Sequence, residues 1–247
     1  MYEPNHIYNV DSYQAIKNIP DKSVDLIYTD IPYLYQETKN LEKNLERKSE
    51  KAKDIIKKAK EIADISNGID YSILDEFCRI CKRIYIYVWC SKMQLLDIMN
   101  YFNTKGCFID LLVWCKTNPQ PSTNNVWLPD VEYCLCIREK GCKLNDGYEL
   151  KSKFYVSGIN QYDKKLFKHP TIKPLELVAR HILHSTQPGD LVFDPFIGSG
   201  TTAVACKEHN RKYLGFEINP DYYKIAVDRV NGITATGQTS IFTFLEN

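Results

Sequence analysis

Apolar and polar residues along the chain follow two periods, one typical of strands and one typical of helices. Near the start, HIYNV predicts a strand, and DSYQAIKNIP predicts a short helix capped by Asp11 or Ser12. SVDLIYTD then predicts a buried strand that ends at Asp30, because Pro32 cannot continue strand pairing. Asp30 is therefore expected at the carboxyl end of a strand, which is where open α/β sheets bind their ligands.

The same alternation continues to the end of the chain. Residues 37–65 carry apolar side chains at helical spacing between rows of Lys and Glu, which predicts a long amphipathic helix, either with a solvated charged face or as a lid facing nucleic acid. Strands are predicted for RIYIYVWC, CFIDLLVWCK, VEYCLCIRE, LVFDPF and RKYLGFEI, and helices for YSILDEFCRICK, SKMQLLDIMNYFNT, LELVARHILHST, TAVACKEHN and DYYKIAVDRVNG. Residues 117–130 are predicted to be a loop, and residues 140–168 to be irregular, polar and basic. Strands alternating with helices indicate a mostly parallel sheet with crossover helices.

Composition narrows the class of protein. With 247 residues, 44% of them hydrophobic, the chain can bury the core of one substantial α/β domain. No apolar run approaches a membrane span and the first residues do not resemble a signal peptide, so a cytoplasmic protein without membrane contact is expected. Nine cysteines indicate reduced thiols, and because Cys78-x-x-Cys81 has no regular second pair, no metal site is predicted. The formal net charge of +1 does not by itself indicate nucleic-acid binding.

A glycine-rich turn in LVFDPFIGSGTT is the first candidate for chemistry. Gly198 and Gly200 lie between a predicted strand and a helix, and Glu217 ends the next strand, where an acid can accept hydrogen bonds from ribose hydroxyls. The spacing also fits the dinucleotide fingerprint, so a nicotinamide-dependent oxidoreductase is a rival hypothesis. Asp194, just before the turn, favours a ligand that carries an amino group over a pyrophosphate, since a carboxylate would repel the pyrophosphate.

The second candidate is the tetrapeptide Asp30-Ile31-Pro32-Tyr33. An exocyclic amine of a nucleobase is a poor nucleophile because its lone pair is delocalised into the ring. A carboxylate and a backbone carbonyl that accept its two N–H groups, together with an aromatic ring stacked on the base, would hold the amine ready for attack. Asp30, the carbonyl of Ile31 and the ring of Tyr33 provide these three parts.

Taken in order, DIPY, HPTIKP and DPFIGSGTT resemble the DNA N6-adenine and N4-cytosine methyltransferases of the permuted class, in which the catalytic motif precedes the motif for S-adenosylmethionine (SAM). The resemblance covers roughly residues 6–36 and 108–230 and is weakest over 37–66. It implies a Rossmann-like fold, a mostly parallel twisted sheet with helices on both faces and a small target-recognition insertion. The family usually has DPPY, so Ile31 departs from it, and a catalytically inactive DNA-binding relative is a further alternative. An aspartate at the head of the motif favours N6 of adenine over N4 of cytosine, and either base must be flipped out of the duplex.

Carried over to this chain, the family's roles give a catalytic set and a cofactor set. The catalytic residues are Asp30, Ile31, Pro32 and Tyr33. The residues expected to bind SAM are Asp11, Asp30, Lys173, Pro174, Asp194, Phe196, Gly198, Ser199, Gly200, Thr201, Thr202 and Glu217.

The resemblance also divides the chain into a catalytic half (1–116), a target-recognition region (117–168) and a SAM-binding half (169–247). Residues expected to contact double-stranded DNA are Lys116, Asn118, Arg138, Lys140, Lys143, Lys151 and Lys153. Because the recognition region is short, a homodimer or the helix over 37–65 is expected to complete it. A cognate restriction endonuclease is the other partner that the resemblance leaves open.

Overall fold

The computed structural model describes residues 2–34, 68–119, 121, 127–145, 147, 151–159, 167 and 172–233. The strands are β1 His6–Asn9, β2 Leu26–Asp30, β3 Tyr85–Cys90, β4 Phe108–Lys116, β5 Val131–Arg138, β6 Phe154–Ser157, β7 Leu191–Asp194 and β8 Lys212–Glu217. They form one sheet in the order β1-β8-β7-β2-β3-β5-β4-β6. All pairings are parallel except those of β5, which runs antiparallel to both β3 and β4.

Helices cover both faces of this sheet. They are α1 Ser12–Ala15, which continues into a 3-10 turn over Ile16–Asn18, then α2 Ile73–Ile80, α3 Leu95–Thr104, α4 Leu175–Ser185, α5 Thr201–Glu208 and α6 Pro220–Val230. One core cluster joins the sheet to α1, α2 and α3, and a second joins its opposite face to α4, α5 and α6. The fold class predicted from the alternation of strands and helices is confirmed.

The predicted caps of two helices are also confirmed. The Asp11 carboxylate accepts a hydrogen bond from the Tyr13 amide at 2.8 Å, which caps α1. Asn219 caps α6 in the same way, accepting from the Asp221 amide at 2.8 Å, with proline at the first helical position.

Two features differ from the sequence-based expectation. The stretch over 140–168 is not wholly irregular, since it contains β6, and β5 lies inside the sheet between β3 and β4. The region over 117–168 thus contributes two strands to the common sheet, β5 and β6, and its role in target recognition stays a prediction. The helix predicted over 37–65 falls outside the described residues. None of the described helices is long and apolar enough to cross a membrane.

The topology creates a crevice between β2 and β7. From β2 the chain crosses to β3 with α2 on one face, whereas from β7 it crosses to β8 with α5 on the other face. The strand order therefore reverses between these two neighbours, and such a switch point is where open α/β sheets bind ligands, outside the carboxyl ends of the strands. Asp30 ends β2 and Asp194 ends β7, so both carboxylates lie at this crevice.

Candidate active site

The tetrapeptide that follows β2 is held by its backbone. The Ile31 amide donates to the Trp89 carbonyl at 3.2 Å, which extends the pairing of β2 with β3 by one residue. The Ile31 side chain is 1% exposed and packs in the core beneath α2 and α3. Gln94, itself fully buried, donates to the Pro32 carbonyl at 3.0 Å and accepts from the Leu34 amide at 3.2 Å. The loop is thus fixed at both ends.

Four charged side chains alternate in sign across the same edge of the sheet. Lys173 contacts Asp30 at 2.5 Å and Glu132 at 2.8 Å, and the other oxygen of Glu132 contacts Lys116 at 2.7 Å. Tyr33 joins this row, since its hydroxyl donates to Glu132 at 3.2 Å and accepts from Lys173 at 3.3 Å. Among the described residues, the second oxygen of Asp30, Oδ1, is buried with no hydrogen-bond partner.

Burial and neighbouring charges shift the pKa values of this row in opposite directions. Burial raises the pKa of Asp30 and outweighs the opposing effect of Lys173. Burial also works against ionisation of Glu132 and Lys173. For these two residues the neighbouring opposite charges outweigh the effect of burial. Lys173 and Lys116 lower the pKa of Glu132, and Asp30 and Glu132 raise the pKa of Lys173. The row thus alternates two acidic side chains with two basic ones, each acid within 2.8 Å of a lysine.

Aromatic rings lie beneath both ammonium groups. Lys173 Nζ is 5.0 Å from the centre of the Trp89 ring and 5.6 Å from that of Tyr33, and Lys116 Nζ is 5.3 Å from that of Trp114. These contacts stabilise the two cations, whose side chains are only 11% and 13% exposed.

The glycine turn after β7 has the tight geometry that its sequence predicts. Gly198 and Gly200 have φ of +52° and +80°, which L side chains adopt only with strain. A Cβ on Gly200 would also lie 3.0 Å from the Cα of Ala226 in α6. The glycine at position 200 therefore serves close helix packing as well as the turn.

Two acids flank this turn. Asp194 accepts from the Thr202 hydroxyl at 2.6 Å and the Phe196 amide at 3.1 Å, and burial raises its pKa to about 7. Glu217 accepts from the amides of Gly198 and Asn219, both at 2.9 Å, and burial raises its pKa as well. Each carboxylate oxygen keeps a lone pair beyond the bond that it already accepts, so both acids can accept hydrogen bonds from a ligand.

The sequence profile of the DNA methylase family, the N6/N4 group, matches residues 24–228, more than four fifths of the chain. The chain belongs to this family. The match excludes the nicotinamide oxidoreductase that the glycine spacing alone left open, and it confirms the resemblance drawn from the three motifs.

Individual relatives agree with the family match. The chain is 36% identical to the type II methyltransferase M2.DpnII of Streptococcus pneumoniae over 51% of its own length and 52% of that protein. It is 27% identical to the type II methyltransferase M2.LlaDCHI of Lactococcus lactis subsp. cremoris over 91% of its length and 88% of that protein. The solved structure of an M1.HpyAVI-SAM complex is 25% identical with a TM-score of 0.67, over 92% of this chain and 98% of the other.

The donor chemistry of the DNA methylase's crevice fits SAM. A carboxylate beside the glycine turn suits the ammonium of its methionine moiety, and a carboxylate at the end of the next strand suits the ribose hydroxyls. Asp194 and Glu217 occupy these two positions, and the unpartnered Asp30 oxygen offers one more acceptor between them and Tyr33. Within the described residues, no group of three or more His, Cys, Asp or Glu side chains could hold a metal ion.

Most residues predicted for catalysis and cofactor binding lie together at the carboxyl edge of the sheet. Asp11 caps α1, and the neighbouring Ser12 hydroxyl donates to the Pro195 carbonyl, which ties that cap to the turn after β7. Lys173 bonds Asp30 directly, and Pro174 is the N-cap residue of α4. Ser199, Thr201 and Thr202 are buried in and after the turn.

The residues predicted to contact DNA do not lie together. Lys116 and Asn118 are at the carboxyl edge, where Lys116 is engaged by Glu132 and Asn118 accepts from the Ile159 amide at 2.5 Å. Arg138 pairs in register with Tyr85, the first residue of β3, and so lies at the amino edge of the sheet. Lys140 and Lys143 follow Arg138 at that edge, and Lys151 and Lys153 precede the first residue of β6. Both Arg138 and Lys153 form ion pairs with Asp110, at 2.8 and 2.6 Å.

Two site residues escaped the sequence analysis. Glu132 lies at the start of a strand that reads as apolar, and Gln94 lies just before a helix, so neither stands in a recognisable motif. The sequence signal for Glu132 is an acid in a mostly apolar strand, since such a charge is rarely buried without a partner.

Proposed function

We propose that this DNA methylase transfers a methyl group to N6 of adenine in double-stranded DNA, after flipping the base into the crevice. The methyl donor is S-adenosylmethionine, which supplies an electrophilic methyl group when bound. The observation that carries the proposal is the Asp30 carboxylate, with one oxygen bonded to Lys173 and the other without a partner, beside the Tyr33 ring.

Each functional group of the tetrapeptide has a separate role in the proposed reaction. The unpartnered Asp30 oxygen accepts one N–H of the target amine, and the Ile31 carbonyl accepts the other, which directs the nitrogen lone pair away from the base. The Tyr33 ring stacks on the flipped base, and the bonds to its hydroxyl hold the ring in place. Because the Ile31 amide and Gln94 fix the loop, these groups are preorganised before the base arrives.

The DNA is proposed to approach the carboxyl edge of the sheet. Trp127 is 95% exposed and Leu128 is 50% exposed on the segment that leads into β5, two and one residues before the carbonyl that anchors Lys116. An exposed aromatic ring at this edge suits stacking on bases. The lysines around Arg138 lie at the opposite edge, and are not part of the proposed contact.

The aspartate at the head of the tetrapeptide supports adenine over cytosine. A PvuII cytosine-N4-specific methyltransferase structure has a TM-score of 0.70 with this chain but only 19% identity, so it bears on the fold alone. The two amines are separated by incubating the protein with duplex DNA and methyl-labelled SAM and digesting the product to nucleosides. We expect label in N6-methyladenine. Label in N4-methylcytosine would instead identify a cytosine-N4 methyltransferase. Label in RNA alone would refute DNA as the substrate.

Substitution of Asp30 tests the catalytic assignment. Asp30→Asn keeps the size of the side chain but removes its charge and one acceptor, so methyl transfer should fall at least about 100-fold. SAM binding, measured by calorimetry, should stay within a few-fold of wild type. Retention of turnover in this variant would rule out the assigned role. The homodimer and the cognate endonuclease stay predictions, the first open to sedimentation analysis.

A further inference from the structure

Glu132 is the link between the catalytic carboxylate and the rest of the charged row. It lies near the start of β5, the antiparallel strand, so its side chain emerges at the same edge as the carboxyl ends of β3 and β4. Its two oxygens serve three partners: Lys173 at 2.8 Å, Lys116 at 2.7 Å and the Tyr33 hydroxyl at 3.2 Å. Its side chain is 19% exposed.

The consequence for Asp30 is that Lys173 is shared. An ammonium group bound to a single carboxylate would neutralise its charge and compete with the N–H group of the target amine for its oxygens. Here Lys173 Nζ is 2.5 Å from Asp30 and 2.8 Å from Glu132, so its charge is divided between two acids of nearly equal proximity. Lys116 compensates the second acid, which leaves the row neutral.

A row built only for stability would be a costly choice. Even partial burial of four charges loses hydration that their mutual attraction recovers only with good geometry, and apolar replacements are often as stable. Each charge in this row has partners within hydrogen-bond distance, and the row ends on the tetrapeptide. Its position at the site favours a role in the reaction.

We propose that Glu132 is a positioning residue that shares Lys173 with Asp30, and so sets how strongly the Asp30 carboxylate accepts the target amine. The proposal rests on the proposed function. Glu132 contacts neither base nor methyl donor in this account. It acts through Lys173 and through the Tyr33 hydroxyl.

The effect on Asp30 is electrostatic and has a defined sign. The negative charge of Glu132 favours protonation of Asp30, whereas the positive charge of Lys173 opposes it. The other titratable groups that interact with Asp30 from the elements around it are Tyr28 of β2, Tyr33 of its own loop, Cys90 of β3, Cys134 of β5 and Asp194 of β7. Lys173 and Glu132 act on the pKa of Asp30 through opposite charges, so the two residues can be tested as a pair.

The test is the pH dependence of turnover at saturating SAM on mixed-sequence duplex DNA. In Glu132→Gln, Lys173 pairs with Asp30 alone, and the pKa of Asp30 should fall. We therefore expect kcat to fall about tenfold and the acid limb of the pH profile to move to lower pH by about one unit. In Lys173→Met, kcat should also fall, but the acid limb should move to higher pH. In Glu132→Asp the charge is kept, so the limb should stay at the wild-type position with an intermediate kcat.

Glu139→Gln is the matched control, because Glu139 lies just beyond the far end of β5 and accepts from the Ile84 amide there. It should leave both kcat and the profile unchanged. The inference would be overturned if the acid limb of Glu132→Gln stays in place or moves to higher pH, even if kcat falls. A merely structural role would lower activity and stability in urea together, without moving the acid limb. If Glu132→Gln does not fold, Lys173→Met and Glu132→Asp decide alone, and coincident limbs in these two overturn it. Wild-type protein that transfers no methyl to DNA would instead refute the proposed function.

Discussion

Asp194 is a buried carboxylate, and replacing it with asparagine separates what it does for the ligand from what it does to stability. The side chain is 4% exposed at the end of β7, where it accepts from Thr202 and Phe196. Asparagine can keep both contacts, because its oxygen accepts from the Phe196 amide while its NH₂ group donates to the Thr202 hydroxyl oxygen. Asp194→Asn should therefore fold with the same local geometry but without the charge.

The magnitude follows from the pKa of Asp194, which burial raises from 3.8 to about 7. A difference of about three pH units corresponds to about 4 kcal/mol of unfolding free energy. Because the pKa in the folded protein is above that in the unfolded chain, the contribution of this group is fully present below about pH 4 and is lost as the pH rises through about 7. At pH 8 the variant should be more stable than wild type by about 2 to 4 kcal/mol, and at pH 4 the difference should vanish.

Ligand binding should change in the opposite direction. If the carboxylate holds the ammonium of SAM, the variant loses a charge-assisted hydrogen bond, which is worth about tenfold or more in affinity. Wild-type affinity should also fall below about pH 7 as Asp194 is protonated, whereas that of the variant should be flat. Urea unfolding and calorimetry with SAM measure both effects.

The control for this substitution is Asp97→Asn, at an exposed position on α3. It should change stability by less than about 0.5 kcal/mol and leave SAM affinity unchanged. A variant at position 194 that is less stable than wild type at pH 8, or that binds SAM with unchanged affinity, would refute the reasoning.

Two further substitutions test the packing of the glycine turn and the proposed DNA-facing edge. Gly200→Ala combines a φ of +80° with a Cβ only 3.0 Å from Ala226, so urea unfolding should show a loss of about 2 to 5 kcal/mol. Gly189→Ala has a φ of +89° in open space and should lose only about 1 to 2 kcal/mol, and equal losses would contradict the packing argument. Trp127→Ala should weaken binding of duplex DNA by about 1 to 3 kcal/mol in a fluorescence anisotropy titration. Phe108→Ala, which removes a ring that is 58% exposed at the amino edge, should leave that binding unchanged, and equal effects would place the DNA elsewhere.

The sequence was sufficient for most of the fold because the strands and helices alternate with clear periods. Each half of the sheet repeats a strand, a crossover helix and a parallel strand, and the caps at Asp11 and Asn219 mark where helices begin. Strand β6 was missed because it lies within a polar and basic stretch whose composition favours irregular structure. The direction of β5 was also beyond the sequence, since the apolar pattern of a strand is the same when it is read from either end.

The candidate site was predictable where it follows a motif and hidden where it depends on long-range pairing. Asp30 and Asp194 each end a strand, so their presence at one edge follows from a parallel sheet. Glu132 reaches that edge only because β5 is antiparallel, which brings the beginning of a strand beside the ends of its neighbours. The same reversal carries Arg138 to the opposite edge of the sheet from the proposed DNA-facing edge.

The isoleucine in the tetrapeptide illustrates how a departure from a motif can be compensated by the fold. A proline at position 31 would fix φ but could not donate a hydrogen bond. Ile31 instead donates to the Trp89 carbonyl and buries its side chain in the core, and Gln94 holds the next carbonyl along the chain. The loop is thus anchored on both sides of the Ile31 carbonyl, so the direction of this acceptor is set by tertiary contacts where the family's usual sequence relies on ring stiffness. The position of the Ile31 carbonyl therefore depends on β3 and on Gln94. Substitutions at these positions should lower turnover although the tetrapeptide itself is unchanged.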